Sequence, residues 1–475
     1  MIKSDLLIIT LGRLLQIAIS LVALRLSTTL LSHEEMGKVY FAIAWYTFFV
    51  VFLISPAGHY VNRNTHRWYA DGVVVEKIFN QLAYIFFVGL LFLCFAFFVR
   101  LVGFYDGTVS FLVVVFLLVV VTSFNQTVIP LLNMLGERKV FVFLNMVTAL
   151  LSVAFSFVFM VSIKDDSLSW LFGIVLGNFL AFVAAVAYFN NKFGEGGFTI
   201  LSRIDFSQVD KVLSFMLPIS IATLFMWAQN SGYRLLIENY YGLAYLGFIG
   251  VGLAVSAQIF AVVESLVTQY LHPIVYKKLE SVDKVQRNHA VNEYVSISIP
   301  IYFSIAIMLT FSVEGIFPLL VDKQYFSGLS FAIYGVWIEF GRVTSNVLSL
   351  VSHSEKKTKL FILPYVAGSI FLNVLLFFVA TVFDMKNAIP IVLVASSFIT
   401  MLIMYFLMNK LLYIIIPVGR LLLVSVFCAP CVVYFMLFDF PFEIGYSYVF
   451  MLSIGGVLYL MGMFVFLYMN KFNDG

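Results

Sequence analysis

The chain has 475 residues, of which 62% are hydrophobic and only 11% charged, against about 25% charged in soluble domains. A mean hydropathy of +1.02 leaves too little polar side chain to cover a water-soluble core, and the same numbers exclude a disordered chain, a coiled coil or a disulfide scaffold. The net charge of +3 is too small to argue for a nucleic-acid partner, so the composition predicts an all-α polytopic membrane protein.

The first apolar run, Leu6 to Leu31, is too long for the core of a signal peptide, contains Arg13 and Arg25, and lacks a small-residue cleavage site. It is expected to stay as the first span. A spanning helix needs roughly 20 apolar residues, and fourteen runs qualify: 6–31, 38–62, 79–103, 109–135, 140–163, 169–189, 211–236, 243–271, 291–320, 325–352, 358–383, 387–413, 418–438 and 444–469. Pro56, Pro130, Pro218, Pro300, Pro364 and Pro430 fall inside runs, where neighbouring helices or a watery cavity must satisfy the freed carbonyls.

With the N-terminus placed inside, the inner segments carry nineteen Lys and Arg. The outer loops carry five: Lys38, Arg100, Lys164, Lys323 and Lys386. That bias predicts cytoplasmic N- and C-termini. The longest inner loops, Asn190 to Asp210 and His272 to Ala290, have about twenty residues each, too few for a soluble catalytic domain. No phosphate-cradling glycine loop precedes a Lys-Ser/Thr pair, so ATP hydrolysis is not expected. Gly173-x-x-x-Gly177 and Gly247-x-x-Gly250-x-Gly252 read as close helix packing. Cys428 and Cys431 have redox-pair spacing, but without a second pair or a nearby His they read as small residues on a proline-bent helix. The six histidines are scattered without ligand spacing. No metal and no cofactor is expected.

Two matches suggest an internal repeat of six spans. Arg25-Leu26, a turn and Gly37 correspond to Arg234-Leu235, a turn and Gly247; Gly136-Glu137-Arg138-Lys139 corresponds to Ser354-Glu355-Lys356-Lys357. Halves repeated in parallel are a transporter design with the substrate site between them. The expected division is a six-helix lobe over 1–190, a second over 211–413, and a two-helix hairpin with its tail over 418–475.

Four arginines, Arg13, Arg25, Arg234 and Arg342, lie within runs, together with the acids Glu264 and Glu339. Facing lipid, six such charges would cost on the order of 15–20 kcal/mol, so they are expected to face protein or water. Arg25 and Arg234, near span ends, have snorkelling as an alternative. Glu339 and Arg342 are three apart and share a helix face, which makes a mutual ion pair an equally natural reading. Glu264 reads as a partner of one of the arginines or as a coupling acid. The surplus of arginine suits a phosphate or diphosphate. Trp227, Trp337 and polar groups at depth, Asn125, Gln126, Gln229 and Asn230, suit a carbohydrate path or, for the tryptophans, plain packing.

Gly12-Arg13, Leu24-Arg25-Leu26, Glu34-Glu35-Met36-Gly37 and Gly58 to Arg63 resemble the opening of bacterial oligosaccharide flippases, the O-antigen translocase family. Leu217-Pro218, Tyr233-Arg234-Leu235-Leu236-Ile237-Glu238 and the glycine-rich span 8 are similar to that family's mid-chain signature. An acidic residue commonly precedes the span-7 arginine there; Tyr233 stands in its place, which puts an ion pair at Arg234 in doubt.

The resemblance implies a two-lobed fold of the multidrug/oligosaccharidyl-lipid/polysaccharide exporter superfamily in the bacterial inner membrane. The implied task is alternating-access transfer of an undecaprenyl-diphosphate-linked oligosaccharide to the periplasmic leaflet. On that reading Arg13, Arg25, Arg234 and Arg342 are the matching cationic positions in or near the cavity; Trp227 and Asn230 join them as candidate substrate-binding residues by residue type and depth alone. The lipid bilayer and other polysaccharide assembly proteins would be its partners. The alternatives are a cation-coupled multidrug exporter, disfavoured because span 1 has no acid beyond Asp5, and a polysaccharide polymerase, disfavoured by the short outer loops.

Overall fold

The computed structural model describes residues 2–103, 108–193, 209–279, 283–355, 357–383, 385–437 and 445–469. Among these no strand occurs, and each of the fourteen apolar runs is helical. The helices are α1 (Ile2–Leu30), α2 (His33–Phe49), α3 (Ser55–Ala70), α4 (Val74–Leu101), α5 (Val109–Met134), α6 (Arg138–Ser162), α7 (Ser167–Phe193) and α8 (Val209–Trp227). They continue with α9 (Tyr233–Leu279), α10 (Lys284–Leu320), α11 (Leu329–Ser354), α12 (Ile362–Phe378), α13 (Ile389–Asn409), α14 (Val418–Leu437) and α15 (Tyr446–Met469). Ten stretches are long and apolar enough to cross a membrane. The chain is an all-α multi-pass membrane protein. Large side chains left bare, such as Phe87, Phe98, Leu422 and Val426, have lipid as their natural solvent. Most of the expected inner loop at 190–210 lies outside the described residues.

Polar caps set the helix starts. Ser32 accepts from the Glu35 amide, Thr108 from that of Phe111, and Asp283 from that of Val285, satisfying amides that the first turn leaves orphaned. Three helices widen locally into a π-turn, at Val50–Ile54, Ala228–Gly232 and Val379–Phe383. The first joins α2 to α3 just before Pro56, and the second joins α8 to α9. Within α9 the path breaks at Gly242, with φ 81° and ψ 170°, a conformation that costs a side-chain-bearing residue but not glycine. The break separates expected spans 7 and 8.

The chain forms two compact units, Met1–Gly247 and Phe248–Gly475. In the first, α7 packs on α5 and α6, and α6 packs on α1. A Cβ at Gly173 or Gly177 would overlap the backbone of Ser156 or Ser152, so the backbones of α6 and α7 touch where the small-residue spacing predicts. Gly37 and Gly247 also meet, since a Cβ on Gly247 would abut the Gly37 amide.

Asn125 is spent here on structure. Its Nδ2 donates to Thr148 Oγ1 (3.2 Å) and Asn178 Oδ1 (3.0 Å), tying α5 to α6 and α7, so it does not line a carbohydrate path. In the α5–α6 turn Glu137 accepts from Lys192 (2.8 Å) and Tyr188 (2.7 Å). The Lys192 bond foremost holds its carboxyl below the usual range. In the second unit α11 lies against α10 and α13, and α14 pairs with α15. Cys428 and Cys431 are buried free thiols, and Cys431 Sγ sits 3.4 Å from the Gly455 carbonyl.

Candidate functional site

The charges inside the helices resolve into two different arrangements. In the second unit, α11 presents Glu339, Arg342 and Asn346 at spacings of three and four, hence on one face. Arg342 Nε donates to Glu339 (2.7 Å) and Nη2 donates to Glu264 of α9 (2.8 Å). The second oxygen of Glu264 accepts from Asn346 Nδ2 (2.9 Å). Arg342 is 28% exposed, Glu264 22% and Glu339 14%, so water reaches the cluster only in part. The group carries one positive and two negative charges, a surplus of one carboxylate. Arg342 is thus not a bare cation, although its Nη1 has no partner among the described residues.

In the first unit Arg13 and Arg234 have no carboxylate partner among the described residues. Arg234 opens α9 directly after the π-turn that follows Trp227. Its guanidinium lies 5.4 Å from the Tyr40 ring centroid and 5.9 Å from that of Tyr233. Its Nε is buried and finds no hydrogen-bond partner among the described residues. Where the resemblance would put an acid, Tyr233 supplies a ring face, and attraction to the π cloud replaces the ion pair. Arg13 is exposed on α1 and, among the described residues, reaches only Gln16 Oε1 (3.2 Å). Arg25 is half-buried near the end of α1.

Trp227 is fixed in place by its neighbours. Its Nε1–H donates to the Ala44 carbonyl (3.1 Å), and its ring meets Phe48 edge-on at 4.8 Å. Asn230, on the same π-turn, is exposed. The structure therefore brings Glu264, Glu339 and Arg342 together and sets Trp227, Asn230 and Arg234 on successive turns. No hydrogen bond or ion pair joins Arg13 to any of them among the described residues. Two partners escaped the sequence reading. Asn346 was detectable as the residue four beyond Arg342, whereas Tyr40, nearly two hundred residues from Arg234, left no local signal.

No family model and no curated protein matches the sequence. Solved structures do match in fold. One titled lipid II flippase MurJ, inward closed conformation, superposes with a TM-score of 0.69 at 12% identity over 98% of this chain and 99% of that one. The chain has the MurJ and MATE fold. The eukaryotic MATE transporter AtDTX14 superposes with a TM-score of 0.56 at 13% identity, over 85% of this chain and 93% of its own. An inward-facing multidrug resistance MATE family transporter of the MOP superfamily gives 0.56 at 14% identity, over 85% and 95%. The MurJ likeness takes in nearly the whole chain, whereas the MATE structures cover less of it.

Proposed function

We propose that this chain is a transporter rather than an enzyme, and that it moves a lipid-diphosphate-linked oligosaccharide, an O-antigen or other polysaccharide repeat unit, across the bacterial inner membrane by alternating access. The observation that carries this reading is Arg234. It is a guanidinium held between two tyrosine rings, with a buried N–H left unpartnered and no carboxylate to neutralise it. Such a group favours a diphosphate, whose oxygens accept the fork of N–H donors and balance its charge.

In this reading Arg13, Arg25 and Arg234 attract the diphosphate, and Arg342 offers it Nη1 while Glu264 and Glu339 hold the rest of its fork. Trp227 and Asn230 flank the sugar. In this reading the six-span repeat defines lobes over 1–190 and 211–413, with the hairpin 418–475 beyond them, although residues 211–247 pack within the first compact unit. Both termini are cytoplasmic, and the lipid-linked oligosaccharide, the bilayer and other polysaccharide assembly proteins are the partners.

The test is the leaflet distribution of undecaprenyl-diphosphate oligosaccharide in cells that depend on this chain. Arg234→Ala should raise the cytoplasmic-leaflet pool with at least a tenfold loss of transfer at unchanged protein abundance. Arg234→Lys, which keeps the charge and the ring contact but not the fork, should lose less. Full transfer by Arg234→Ala overturns the reading. The carboxylate surplus at Glu264 and Glu339 favours a second reading, a cation-coupled drug exporter. That reading requires the chain to lower cellular accumulation of a cationic dye and leave the lipid pool untouched.

A further inference from the structure

The first unit contains a cavity of about 770 Å³ that the flippase reading does not use. Its mouth is framed by the starts of α2, α5 and α7 and by the α9 segment around Glu238, so it lies at one end of the helices. Its walls run inward along α2, α4 and α5. Trp45 is seven residues beyond Lys38, or about 10 Å along the helix. Phe41, Trp45, Phe92, Phe95 and Phe111 line the interior, and the Trp45 and Phe95 rings meet at 5.7 Å. In a bilayer this is a slot with its mouth at the headgroups and its walls among the acyl chains.

The charges at the mouth select the headgroup. Lys38 is held by Glu35 (2.7 Å) and Glu34 (3.3 Å), and Lys164 pairs with Asp166 (3.4 Å). Glu35 also accepts from the Ser167 amide (2.8 Å) and hydroxyl (2.6 Å), fixing the start of α7. Glu238 is left over. It lines the cavity, is half-buried, and has no hydrogen bond or ion pair among the described residues. A half-buried carboxylate without a partner is costly unless a cation or hydrogen-bond donor reaches it.

We propose that this cavity is a binding site for a lipid with a zwitterionic, amine-bearing headgroup of the phosphatidylethanolamine class. The ammonium meets Glu238, the phosphate lies beside Lys164, which is 70% exposed, and one acyl chain packs along Trp45 and Phe95. An anionic glycerol headgroup can offer Glu238 hydroxyl donors but no cation, and its net negative charge repels the carboxylate.

The experiment uses the full-length protein, delipidated in detergent and given equal amounts of phosphatidylethanolamine and phosphatidylglycerol, with retained lipid read by native mass spectrometry. The wild type should retain phosphatidylethanolamine at least fivefold over phosphatidylglycerol, and Glu238→Gln should bring that ratio to about one with its melting temperature kept. A wild type that retains both equally, or a ratio unchanged in Glu238→Gln, overturns the site. Should Glu238→Gln not accumulate, Val99→Trp obstructs the cavity beside Phe95 and Ala96 without altering a charge. It should abolish the retained lipid, and retention at the wild-type level there overturns the proposal as well.

Discussion

Arg342 is bound on two sides, and that changes what its removal does. Each carboxylate takes a different nitrogen of the fork, Nε for Glu339 and Nη2 for Glu264. Arg342→Gln therefore strands two half-buried acids; breaking a fully buried pair costs about 3–5 kcal/mol, which is the upper bound here. Arg342→Gln should lower the melting temperature and the amount of protein in the membrane. Neutralising Glu339 as well should rescue stability only in part, because Glu264 stays unpaired. The triple change with Glu264→Gln and Glu339→Gln should restore it. If Nη1 serves the diphosphate, the restored triple variant should still transfer lipid-linked oligosaccharide at least tenfold more slowly than the wild type. A stable and fully active triple variant makes the cluster purely structural. The spacing of Glu339 and Arg342 showed their shared face from sequence alone. Which distant acid closed the cluster was not readable, because Glu264 lies 78 positions away and only the packing of α9 on α11 selects it.

At the scale of elements, apolar runs located the helices because the bilayer demands both length and apolarity. They did not reveal how the helices are interrupted. The run at 38–62 is a helix, a π-turn and a second helix, and nothing in a stretch such as Val50–Ile54 marks the wider turn. Conversely, α11 falls short as an apolar span because Glu339, Arg342 and Asn346 dilute it, the same residues that build its polar cluster. Small residues were the better guide to contacts. At Gly177 a Cβ would strike the Ser152 backbone, which cannot swing aside as a side chain can. Ser152 also accepts from Asn178 (3.3 Å), so prising α6 from α7 disturbs the Asn125–Asn178 network too. Gly177→Val should therefore destabilise by about 1–3 kcal/mol, seen as a lower melting temperature in detergent. Gly456→Ala, with nothing within 4 Å of the new carbon, should melt like the wild type. Equal melting of the two variants would mean that α6 and α7 are not in backbone contact.

For the whole molecule, the sidedness of the loops is the property that the sequence addresses and the helices alone do not. Nineteen inner against five outer Lys and Arg is a directional signal, because positive loops resist translocation. The helices supply the alternation it needs. Lys164 lies in the turn between α6 and α7, Lys323 between α10 and α11, and Lys38 one turn into α2. Lys192 ends α7, Lys284 begins α10 and Lys357 lies between α11 and α12. If each run crosses the membrane in turn, the first three are expected on one side and the other three on the opposite one. Lys164 and Lys192 are 70% and 48% exposed, and Lys284, Lys323 and Lys357 are also exposed, so single cysteines there are open to reagent. In intact spheroplasts, Lys164→Cys, Lys323→Cys and Lys38→Cys should react with a membrane-impermeant maleimide. Lys192→Cys, Lys284→Cys and Lys357→Cys should react only after permeabilisation. Two or more tags on the opposite side would break the alternation. A diphosphate-bearing lipid made in the cytoplasm would then meet Arg13, near the start of α1, from the wrong face of the membrane.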